Sequence, residues 1–78
     1  MKRIIIEVSE ATSKALVELA EACSEADKAR NGATTHGHLT PTKLLAMLAE
    51  DAGMVITRPG CWEAANLHQA LASHGYSV

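Results

Sequence analysis

The sequence predicts a mainly α fold with one N-terminal β-strand, in a chain that works as half of a homodimer. Three observations lead there. The first residues alternate with a period of two, the signature of a strand face. Longer stretches then carry apolar residues at three- and four-residue steps behind recognisable caps, as helices do. Finally, the chain has only 78 residues, with one Trp, one Tyr and no Phe, so a single core is barely sufficient and a second copy would add buried area.

The strand is read from Lys2 to Val8. Ile4, Ile6 and Val8 alternate with Arg3, Ile5 and Glu7. Nothing later in the chain reads as an equal partner. A lone strand leaves amides and carbonyls unpaired, costly when buried and adhesive when exposed, and a second copy of the same strand is the simplest remedy.

The first helix is expected from Ser9 to about Arg30. Ser9 suits the N-cap, where its hydroxyl accepts from a free amide of the first turn. Ala15, Leu16, Leu19, Cys23 and Ala26 form the expected apolar stripe, with Lys14, Glu18, Glu21, Glu25 and Lys28 mostly opposite. Asn31-Gly32 is the stop, because glycine accepts the left-handed conformation that ends helices. Ala33 to Leu39 reads as a loop.

Thr40-Pro41-Thr42-Lys43 opens the second helix, with Thr40 as cap and Pro41 in the first helical position. Leu44, Leu45, Leu48, Ala52 and Val55 give its apolar face. Gly53 weakens the pattern, so the helix ends near there or continues to Ile56; residues Met54 to Thr57 read alternatively as a second short strand. After the break at Arg58-Pro59-Gly60, residues Cys61 to His74 read as a third helix with Ala64, Leu67, His68 and Leu71 on one face, and Gly75 stops it. Residues 1–56 therefore form the core and 57–78 a C-terminal helical extension.

The formal net charge is -2 and the isoelectric point about 6.0, which lacks the basic excess usual for a DNA-binding domain. Two cysteines, Cys23 and Cys61, make one bridge at most. With no secretory leader read at the start, reduced thiols in the cytoplasm are expected. The longest apolar run is too short to span a bilayer.

The order strand, helix, capped helix resembles a known family. Residues MKRIIIEVSEATSKALVELAEA look like the opening of ribbon-helix-helix DNA-binding proteins of the Arc/MetJ/CopG kind, and the likeness extends over residues 2 to 56. It implies a homodimer whose two strands pair antiparallel and enter the major groove of double-stranded DNA. Arg3, Ile5 and Glu7 would face the bases. Arg3 suits guanine and Glu7 suits cytosine N4, whereas Ile5 can only touch a thymine methyl. Ile4, Ile6 and Val8, with Leu16, Leu19, Leu45 and Leu48, would form the dimer interface. The start of the second helix would clamp a backbone phosphate through Thr40, Thr42 and Lys43, with Lys2 adding charge. Ordinary helix capping explains Thr40 and Thr42 equally well. The implied function is transcriptional regulation, most simply repression, with antitoxin or plasmid-maintenance duty as an elaboration. The competing expectation is a dimeric protein-interaction module that does not read DNA.

Two departures from the family pattern stand out. The first helix and the segment between the helices are both longer than the family needs, and His36 and His38 lie in that segment. Together with His68, His74 and the cysteines they offer metal-ligand chemistry, but no CxxC or HxxxH spacing accompanies them, so no metal and no other cofactor is expected. Cys23 reads as a small core residue. No nucleophile-base set emerges, and Glu50-Asp51 point to different helix faces, so the chain is not expected to be an enzyme. Trp62 in the extension either packs on the core or meets a protein partner, since aromatic residues favour interface centres.

Overall fold

The computed structural model describes residues 1–78 and contains three helices, α1 (Glu10–Ala29), α2 (Pro41–Thr57) and α3 (Trp62–Ser73). It has no β-strand, which overturns the expected N-terminal strand and with it the ribbon-helix-helix architecture. The reason is visible in the hydrogen bonding. A strand exists only as one side of a ladder, and no backbone bond within the chain joins residues 1–8 to another segment. They form an exposed arm instead, with Ile4 and Ile5 87% and 82% accessible. The arm is also apolar on both faces, since Ile5 interrupts the polar face that alternation requires. The short strand considered for residues 54–57 is helical as well, and α2 runs through Gly53 to Thr57.

The chain divides into two compact units, residues 1–42 and 43–78. In the first, Ser9 caps α1, its Oγ accepting from the Thr12 amide at 3.1 Å. At the far end Asn31 takes the left-handed conformation (φ 54°). The Gly32 amide then donates to the Asp27 carbonyl at 2.9 Å and the Asn31 amide to the Lys28 carbonyl at 3.0 Å. These two bonds satisfy carbonyls that the helix end would leave orphaned. Asn31, rather than the glycine beside it, makes the first left-handed turn.

The face of α1 that is covered differs from the expected stripe. Ala20 and Ser24 are buried and Leu16, Cys23 and Asp27 half-buried, while Ala15, Leu19 and Ala26 are exposed. Polar side chains explain the rotation. Ser24, only 5% accessible, accepts from the Leu39 amide at 2.9 Å. Its own hydroxyl lies 2.9 Å from the Ala20 carbonyl and 3.1 Å from the Leu39 carbonyl, so it can donate to either. Asp27 accepts from the Thr34 hydroxyl, and that oxygen accepts from the Gly37 amide at 3.1 Å. Gly37 adopts φ 66°, a conformation glycine takes without steric cost. The 33–39 loop is thus pinned along α1, which brings Leu39 into the core beside Ala20.

In the second unit Leu44 and Ala64 are buried, with Leu45, Met47, Met54, Val55, Cys61 and Leu67 half-buried. Cys61 caps α3, its sulfur accepting from the Ala64 amide at 3.5 Å and lying 3.6 Å from the Met54 sulfur. At the end of α3, Gly75 (φ 92°) lets the Tyr76 amide reach the Leu71 carbonyl at 3.0 Å.

Replacing Ser24 with alanine strands the buried Leu39 amide. It should lower the free energy of unfolding by about 1–3 kcal/mol, read from denaturant melts of the two proteins at one concentration.

Candidate interaction surface

What this chain presents to its surroundings is apolar surface. No large side chain is completely buried. The exposed apolar residues fall into two sets. One belongs to the first unit: Ile4, Ile5, Ile6 and Val8 on the arm, and Val17 and Leu19 on α1. The other belongs to the second unit, chiefly Leu48, Ile56, Trp62, Leu71 and Tyr76.

Each unit also carries an open groove. The first, of about 340 Å³, runs along α1 beside residues 38–41. Val17, Ala20, Leu39 and Pro41 make its apolar lining, and Glu21 and Glu25 supply carboxylates. Lys28, which also borders it, lies 3.4 Å from Glu25 in an exposed ion pair, a contact of small energetic weight. The second groove, of about 390 Å³, is formed by Val55, Ile56, Pro59, Ala64, Ala65, His68 and Val78. There the His68 Nε2 atom is 2.7 Å from the Val78 oxygen.

The residues expected to contact DNA bases, Arg3, Ile5 and Glu7, are all exposed on the arm together with Lys2. The phosphate-clamp residues Thr40, Thr42 and Lys43 are brought together at the start of α2, each exposed. Of the expected dimer-interface residues, Ile4, Ile6, Val8, Leu19 and Leu48 are exposed, whereas Leu16 and Leu45 are half-buried within the chain itself. Trp62 is 82% accessible, so it does not fill a core in this chain. His36 lies on the loop with its Nδ1 atom 2.8 Å from the Thr35 hydroxyl. The α1 groove was not foreseen, because its shape depends on the loop that Ser24 and Asp27 hold down. Its charge was visible in the acidic run Glu18, Glu21 and Glu25.

No family model, curated protein or solved structure matches this chain. No helix is long and apolar enough to cross a membrane.

Because Trp62 is so exposed, Trp62→Ala should change the unfolding free energy by no more than about 0.5 kcal/mol. The parent's indole emission should be open to quenching by iodide. A blue-shifted, unquenched spectrum at low concentration would contradict this placement.

Proposed function

We propose that this chain is a protein-interaction module that works as a homodimer. The observation that carries the reading is the exposure of large aliphatic side chains within the first unit: Ile4, Ile5, Ile6 and Val8 on the arm, with Val17 and Leu19 on α1. In the second unit Leu48, Ile56, Trp62 and Tyr76 are likewise exposed. The DNA-reading function implied by the family resemblance depended on a paired ribbon to place Arg3, Ile5 and Glu7 in a groove. Within the single chain those residues lie on an exposed arm.

Sedimentation across a concentration series tests the proposal, with thermal melts at the same concentrations. The expected result is a dimer at micromolar chain whose melting midpoint rises with concentration. A monomer with an invariant midpoint would overturn it. Titration with a random duplex at two salt concentrations separates the DNA reading: affinity that falls steeply with salt reports phosphate contacts, and the interaction reading expects none.

A further inference from the structure

Resting on the dimer reading, we propose that the interface is built by exchange of the N-terminal arms: residues 2–6 of each copy lie in the α1 groove of the other. The occupant of that groove is therefore a second copy of this chain.

The chemistry of the two surfaces is complementary. The arm begins with Lys2 and Arg3 and continues with Ile4, Ile5 and Ile6. The groove offers Val17, Leu39 and Pro41 to aliphatic side chains and carries Glu21 and Glu25 for the cations. The wider field agrees, since α1 holds five acidic residues against two lysines, whereas the arm has two cations against Glu7. Such an arrangement steers like copies together and fixes their register.

The arm's conformation suits the exchange. Ser9 caps α1 with extended backbone (φ −64°, ψ 159°), and the residues before it are exposed rather than packed on the helix. Eight extended residues reach roughly 26 Å, comparable with the ~30 Å length of a 20-residue helix. An arm can therefore span an antiparallel neighbour's groove. Because each copy both gives an arm and receives one, the contact is isologous and closes at two chains. The exposure of three consecutive isoleucines then has a cause.

Four variants measured by sedimentation and circular dichroism decide the matter. Ile5→Asp places a charge where an aliphatic side chain is to be buried, and should weaken dimerisation at least about tenfold. Its helix content should match the parent's, since Ile5 touches little within its own chain. Arg3→Glu and Glu21→Arg should each weaken the dimer by about threefold or more, and the double variant should recover to within about twofold of the parent. Glu21 is the better partner to reverse, because Glu25 already lies beside Lys28. A dimer indifferent to Ile5→Asp, or a double variant without recovery, would overturn arm exchange and leave the dimer reading standing. So would an Ile5→Asp variant that is less stable by the same amount at every concentration, which would place the arm on its own chain. A parent that stays monomeric throughout would remove both proposals.

Discussion

One buried hydroxyl organises the first unit. Ser24 is a poor choice for a helix interior on propensity grounds, yet it serves both the amide and the carbonyl of Leu39. A loop backbone cannot enter an apolar environment unless its polar groups are paired. With Ser24 in place, Leu39 is drawn beside Ala20 and the residues leading into α2 are set against α1. The groove, its carboxylates and the exposed side of α1 all depend on that attachment. Asp27 reinforces it through Thr34, so two polar residues on one helix face do what a longer apolar stripe would otherwise do.

A second constraint is the shortage of bulky side chains. With so few aromatics, and with alanine supplying much of the helix surface, the buried apolar set is limited to Ala20, Leu39, Leu44 and Ala64. Burial stabilises by about 25 cal/mol per Å², and small residues remove little area each. Several of the larger aliphatic side chains, Ile4, Ile5, Ile6 and Val8 among them, lie outside, where they stabilise nothing until something covers them. The residues that hold the fold and those left on the surface are therefore different sets.

The helices were legible because their signals are local. Ser9, Pro41 and Asn31-Gly32 mark ends that the structure places within a residue or so, and the 33–39 loop follows from what lies between them. The third helix was also visible between Cys61 and the stop at Gly75, and the structure makes Cys61 its cap. The strand was misread because alternation records which faces are apolar, whereas a strand requires a ladder that no residue list contains. The covered face of α1 was misread for a related reason: ranking by hydrophobicity favours Leu19 over Ser24, and only the hydrogen bonds to Leu39 reverse the order. The groove needed that same long-range contact before it could be seen at all.

The Leu39 amide leads to one further consequence. Loop amides ordinarily exchange their protons with water quickly, because nothing restrains them. This one is buried and donates to a helix side chain 15 residues earlier, so its exchange requires the loop to lift from α1. Its protection therefore reports the free energy of that local opening, independently of whether the helix itself unfolds.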